Sequence, residues 1–142
     1  MSQTGKIWFI LNPAAGKGKA EKHIPKIKKS LENSGKNFEL LLTTGIGHAF
    51  EMARDLPIDI NDTTIAAGGD GTVNEVVNGL LTRPKNTIPP LFGILPIGRG
   101  NDFASTPRIP GNVDEALAII YKSEAKTIDA GFVKGGFFPD GR

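Results

Sequence analysis

The sequence predicts a three-layer α/β domain, with helices covering both faces of a mostly parallel sheet. Short apolar runs alternate with stretches of helical periodicity along the whole chain, which is the pattern of βα units. Glycine-rich turns follow three of those runs. The length of 142 residues suits one compact domain with its own core and leaves no room for two of ordinary size.

The first strand is read from Lys6 to Asn12, where Ile7, Trp8, Phe9, Ile10 and Leu11 form a continuous run suited to burial on both faces. Ile24, Ile27 and Leu31 then recur at helical spacing, so a helix is expected to about Ser34, with Gly35 as its stop. Pro25 is comfortable only in a first turn, so this helix either starts near His23 or begins earlier and bends. Phe38 to Thr43 is the second strand. Ala49, Phe50, Ala53 and Leu56 mark a second helix that starts at His48 and is ended by Pro57. A third strand, Thr63 to Ala67, runs into Gly68-Gly69-Asp70-Gly71-Thr72, and Val73, Val76, Val77 and Leu80 give the next helix its apolar face. Pro84, Pro89 and Pro90 make a loop before the fourth strand, Leu91 to Pro96. Asn112 and Glu115 form a capping-box variant before a helix whose core face is Val113, Ala116, Leu117 and Ile120. Thr127 to Val133 reads as a further strand. Lys134-Gly135-Gly136 then turns into Phe137 and Phe138, the start of another sheet, so the natural chain is expected to continue beyond Arg142.

Composition excludes several classes. No apolar run approaches the roughly 18 residues of a membrane span. The chain has no cysteine, which removes zinc fingers, iron–sulfur sites, thiol nucleophiles and disulfide scaffolds together. The N-terminus lacks the marks of a secretory signal, so a cytoplasmic location is the default. Net charge is only +2, but residues 1–36 carry eight Lys against Glu21 and Glu32. That basic pole can meet phosphates or an anionic lipid surface. For Lys22, Lys26, Lys28 and Lys29 the simpler reading is the solvated face of a helix, whereas Lys17 and Lys19 sit in a glycine-containing loop. His23 reads as a surface residue, and Trp8 and the phenylalanines as core.

The three turns, Pro13 to Gly18, Gly68 to Thr72 and Gly98 to Asp102, each follow a strand. In a parallel sheet such turns share the carboxyl edge, so loops distant in sequence converge on one crevice. Glycine lets backbone amides approach a phosphate, and a helix N-terminus behind the loop adds a favourable dipole. Walker A does not fit, because Gly16-Lys17 is followed by Gly18 and Leu11 holds the place of its first glycine. The G-x-G-x-x-G pattern also fails, for want of a third glycine. In the second turn Asp70 places a carboxylate where phosphates would lie. A bridging magnesium ion would resolve that conflict. Alternatively, Asp70 and Thr72 are only turn and N-cap residues.

Three segments, taken in order, carry a resemblance. Asn12-Pro13-Ala14-Ala15-Gly16-Lys17-Gly18, Gly68-Gly69-Asp70-Gly71-Thr72-Val73-Asn74-Glu75-Val76-Val77-Asn78-Gly79 and Leu95-Pro96-Ile97-Gly98-Arg99-Gly100-Asn101-Asp102-Phe103-Ala104 together resemble the catalytic domain of the diacylglycerol kinase family, which includes bacterial lipid kinases and sphingosine and ceramide kinases. Agreement extends from Ile7 to Phe138. The GGDGT segment alone is shared with NAD kinases and phosphofructokinases, and the resemblance implies their Rossmann-like nucleotide-binding domain. It divides the chain into an ATP-binding α/β domain, residues 1–128, and the start of a β-rich domain, residues 129–142.

The resemblance further implies that Gly68, Gly69, Asp70, Gly71, Thr72, Val73 and Asn74 surround the phosphates of ATP, with Asp70 as catalytic residue and Mg²⁺ ligand. Thr43 would contact nucleotide, and Asn12, Gly16, Lys17 and Gly18 would line the same cleft with Gly98, Arg99, Asn101 and Asp102. The family's general base lies in the second domain, beyond Arg142. Arg99 departs from the pattern, since a small hydroxyl residue usually follows that glycine. Arginine there either pairs with phosphate or fills nucleotide space. Asp102 either holds the loop or a metal, or caps the helix after it.

The function so implied is transfer of the γ-phosphoryl of ATP to a lipid hydroxyl, with ATP and Mg²⁺ as cofactors and diacylglycerol or a similar lipid as partner. A kinase acting on a sphingoid base or NAD, and a non-catalytic nucleotide-binding module, are the competing expectations. The protein is expected at the inner membrane surface, without nucleic acid. Phe132, Phe137 and Phe138 are expected to favour self-association as a homodimer. The 142 residues alone are expected to be inactive toward lipid.

Overall fold

In the computed structural model, residues 5–84, 91–97 and 113–122 are described. Strands β1 (Ile7–Leu11), β2 (Phe38–Leu42), β3 (Thr63–Gly68) and β4 (Leu91–Pro96) form a parallel sheet in the order β2-β1-β3-β4. Helices α1 (Lys19–Asn33), α2 (His48–Asp55) and α3 (Asp70–Thr82) connect successive strands, and α4 (Val113–Lys122) follows β4. The predicted three-layer, Rossmann-like α/β architecture is the one observed.

Strand order determines the layers. The chain steps outward from β1 to β2, then back past β1 to β3 and on to β4. Because parallel crossovers are right-handed, steps in opposite directions place their helices on opposite faces. One layer accordingly joins Ala20, Ile27 and Leu31 of α1 and Leu117 of α4 to Ile7, Phe9, Leu11, Ile65, Ala67 and Leu95 of the sheet. The other joins Ala49 and Ala53 of α2 and Val73 and Val76 of α3 to Ile10, Ala66 and Ile94. Phe9 and Ile10 are both wholly buried, one in each layer, which is why β1 reads as a continuous apolar run. Each such side chain contributes about 1.5–3 kcal/mol by burial.

Pro25 does not delay α1, which begins at Lys19 and passes through it. Proline leaves the Glu21 carbonyl without its usual donor, and both residues are exposed, so water can take that place. Lys22, Lys26, Lys28 and Lys29 are all exposed, as expected of a solvated face. The expected strand at residues 127–133, the Phe132, Phe137 and Phe138 patch and the boundary near residue 128 lie outside the described residues.

Candidate functional site

All four strands deliver the chain to one edge of the sheet. The ladder runs one residue past the strands: the Asn12 amide donates to the Ala67 carbonyl at 2.9 Å, the Thr43 amide to Leu11 at 2.9 Å and the Ile97 amide to Gly68 at 3.1 Å. Asn12, Thr43, Gly69 and Ile97 therefore leave the sheet side by side. The chain leaves β1 in one direction toward β2 and returns to β3 on its other side, so the topological switch point lies between β1 and β3. Open parallel sheets bind ligands in the crevice at that point. The two glycine turns that flank it here are those after β1 and β3.

The turn after β1 is built on Asn12. Its side-chain oxygen accepts from the Ala14 amide at 3.0 Å and its carbonyl from the Ala15 amide at 3.1 Å. Gly16 (φ 63°), Lys17 (φ 59°) and Gly18 (φ 87°) then follow one another in the left-handed region. Lys17 is the one non-glycine residue at positive φ among the described residues, a conformation that costs roughly 1–2 kcal/mol. Strain of this kind gathers at functional sites. Gly18 is the N-cap of α1 and carries no capping side chain; the carbonyls of Ala14, Gly16 and Ala15 accept from the Gly18, Lys19 and Ala20 amides instead, and Lys17 beside them is exposed.

The turn after β3 is tighter. Gly69 is the N-cap of α3, in extended conformation and without a side-chain cap, and Asp70 is the first helical residue. Asp70 and Thr72 are therefore not N-caps, which corrects one of the alternatives open at the level of sequence. The half-buried Asp70 carboxyl lies in the first turn, where the helix dipole favours an anion. Thr72 is 4% exposed and packs onto Gly68, where a Cβ would lie 2.5 Å from the Thr72 hydroxyl oxygen. Gly68 is thus required by helix–strand packing. Gly71 and Asn74 are exposed, while Val73 faces the core.

The loop after β2 completes the edge. Thr43 is buried, and the His48 ring closes the loop from inside: its Nδ1 accepts from the Thr44 amide at 2.9 Å and lies 3.1 Å from the Thr44 hydroxyl. His48 is the first residue of α2, as its reading as a helix-start residue requires. One contact was not foreseen. The Glu75 carboxylate accepts from the Gly47 amide at 2.5 Å, tying the loop after β2 to the helix after β3.

Asn12, Gly16, Lys17, Gly18, Thr43 and residues 68–74 thus lie along one edge, with Val73 turned into the core. Gly98, Arg99, Asn101 and Asp102 lie outside the described residues, although Ile97 brings the chain to the same edge. No group of three or more His, Asp or Glu suited to a metal occurs among the described residues.

Residues 6–133 match the family model of the diacylglycerol kinase catalytic domain. The chain belongs to this family. It is 38% identical over 131 residues to a diacylglycerol kinase of Bacillus subtilis (strain 168), covering 92% of this chain and 42% of that protein. It is 35% identical over 130 residues to a diacylglycerol kinase of Staphylococcus aureus (strain MRSA252), covering 92% of this chain and 40% of the relative. A solved structure of a diacylglycerol kinase from Bacillus anthracis str. Sterne superposes with a TM-score of 0.73 at 32% identity, covering 87% of this chain and 46% of that one. The chain therefore spans less than half the length of these relatives. No described helix is long and apolar enough to cross a membrane.

Proposed function

We propose that this chain is the nucleotide-binding part of a lipid kinase that transfers the γ-phosphoryl of ATP to the hydroxyl of diacylglycerol or a similar lipid. The observation that carries this reading is the pair of glycine turns on adjacent strands at the switch point, each leading into a helix whose N-cap has no capping side chain. Two helix dipoles that end at one crevice favour an anion there, and a polyphosphate fits that charge. The exposed Lys17 and Lys19 supply the cationic side chains.

In this reading the Gly16 to Gly18 turn and the Gly68 to Gly71 turn hold the phosphates from two sides. The buried Thr43 and the loop it begins border the nucleotide, and Asn12 keeps the first turn in shape. Phosphoryl transfer of this class depends on positioning and charge stabilisation. Asp70 is the one carboxylate in the second turn. Magnesium fits a site of this kind, since it is commonly held by one or two carboxylates together with phosphate oxygens and water. When bound, it would neutralise charge on the transferring phosphoryl. The acceptor and the general base belong to the part of the relatives that this chain does not span. The protein would work at the inner membrane surface, where its acceptor lies.

The test is ATP-dependent phosphorylation of diacylglycerol in vesicles by the complete protein, beside the 142 residues alone. ATP binding by both and lipid turnover by the complete protein only is the expected result. Robust turnover by the 142 residues would show that the acceptor machinery has been misplaced.

A further inference from the structure

Helix α3 holds α2 at three points on one face, spaced four residues apart. At the start of α2 the N-cap is Gly47 (φ 87°), which has no side chain to cap the helix. Glu75 of α3 accepts from the amide of this N-cap residue, the bond that the second carboxylate of a capping box makes, and its negative charge lies where the α2 dipole favours it. In the middle is Gly79, where a Cβ would lie 2.5 Å from the Phe50 carbonyl and 2.6 Å from the Ala53 Cβ. At the far end the Arg83 guanidinium donates to the carbonyls of Ala53 (3.1 Å), Arg54 (3.0 Å) and Leu56 (2.8 Å), closing the last turn of α2. An acid at one terminus and a base at the other, with a glycine between them, fasten two helices whose dipoles run side by side.

The two ends of this clasp differ in what they adjoin. Arg83 acts at the end of α2 remote from the glycine turns. Glu75 acts at the Thr43 to Gly47 loop, and it stands in the second turn of the helix that Asp70 opens. We propose that Glu75 is a positioning residue that sets the loop after β2 in register with the Gly68 to Asp70 turn, so that the two borders of the nucleotide crevice move as one body. This inference rests on the reading of that crevice as the ATP site. It adds a residue whose effect falls on nucleotide affinity, through the Gly47 amide, without contact with the nucleotide.

The experiment is steady-state kinetics of the complete protein with ATP as the varied substrate, for wild type, Glu75→Ala, Glu75→Asp, Glu75→Gln and Arg83→Ala, beside thermal unfolding of each. Glu75→Ala should raise the KM for ATP about tenfold, equivalent to ~1.4 kcal/mol, with kcat at saturating ATP within about twofold of wild type. Glu75→Gln keeps an accepting oxygen and should restore most of the affinity. Glu75→Asp is too short to reach Gly47 and should raise KM in the same direction as Ala; it decides the matter if the Ala variant does not fold. Arg83→Ala should lower the melting temperature and leave the KM for ATP unchanged.

A KM for ATP that stays at the wild-type value in both Glu75→Ala and Glu75→Asp would overturn the proposal, whatever happens to stability. So would an equal rise in Arg83→Ala, since any loosening of α2 would then suffice. A wild-type protein that shows no dependence on ATP would instead sink the reading of the crevice itself.

Discussion

Strand β3 begins and ends beside an aspartate, and the two residues are used in opposite ways. Asp62, just before the strand at the amino edge of the sheet, is 7% exposed and fully engaged. It accepts at 2.8 Å from the Lys6 amide, the Trp8 indole and the Asp59 amide, so it fastens the start of β1 to the start of β3. Asp70, just after the strand at the carboxyl edge, is half-exposed, with Gly68, Gly69 and Gly71 as its neighbours in the chain. One carboxylate is enclosed by the donors it needs, and the other is set at the mouth of a crevice. The contrast separates the fold from the site: Asp62 ties two strands together at the amino edge, and Asp70 stands in the first turn of α3 at the carboxyl edge, where the glycine turns gather.

The sharpest way to break this comparison is to remove one negative charge at each end. Asp70→Asn in the complete protein should lower lipid phosphorylation at least about a hundredfold, ~2.7 kcal/mol, because asparagine keeps the shape but loses the charge that would hold a cation. Its melting temperature should stay close to wild type. Turnover near the wild-type rate would reduce Asp70 to a first-turn residue of α3.

Asp62→Ala should do the reverse. Three donors would lose their acceptor, the Trp8 indole in the interior among them, at a cost of about 2 kcal/mol of folding stability. Denaturant unfolding measures this, and the KM for ATP should not move. A variant of Asp62 that binds ATP less tightly would show that the two edges are coupled through β3.

These two aspartates also mark what the sequence could and could not disclose. The strands were legible because β1 is buried along its whole length and β3 and β4 carry short apolar runs, and the glycine turns because each follows such a run directly. Asp70 stood out for the same reason. Asp62 did not, because its partners Lys6 and Trp8 lie more than fifty positions away and meet it only once β1 and β3 are neighbours. Glu75 and Arg83 were hidden likewise. Their spacing from Gly79 is visible in the sequence, but the Gly47 amide and the α2 carbonyls become their partners only through the strand order β2-β1-β3-β4. Pro25 left two starts open for α1, and the structure takes the earlier one because Glu21 and Pro25 are both exposed and water can serve the orphaned carbonyl.

Between the two edges, Gly79→Ala sharpens the comparison from the middle of the α2–α3 contact. The added methyl group would meet the Phe50 carbonyl and the Ala53 side chain, and overpacking of this kind costs about 1–2 kcal/mol as the helices part. Because α2 carries the loop after β2 at one end, a modest rise in the KM for ATP should accompany the lost stability. Loss of stability with no change in KM would confine the effect to packing.

The smallest expected effect is the response of the amino edge to acid. Burial is the largest single influence on Asp62 and pushes its pKa up, but the Trp8 indole, the Asp59 and Lys6 amides and the Lys6 charge together outweigh it, and the carboxyl is held below its usual value. A carboxyl with a lower pKa in the folded state stabilises the fold fully above its unfolded pKa of about 3.9, and loses that contribution as pH falls through the folded value. Stability attributable to Asp62 should therefore be constant near neutral pH and decline below about pH 4. Urea midpoints of wild type and Asp62→Asn between neutral pH and pH 2.5 measure it, since asparagine cannot titrate. The gap between the two proteins should narrow on acidification, because protonation brings wild type toward the uncharged variant. Asp55, which the Arg54 hydrogen bond holds low in the same way, is exposed and common to both proteins, so it cancels from the difference. A gap that stays constant down to pH 2.5 would mean that Asp62 works through the shape of its hydrogen bonds and owes nothing to its charge.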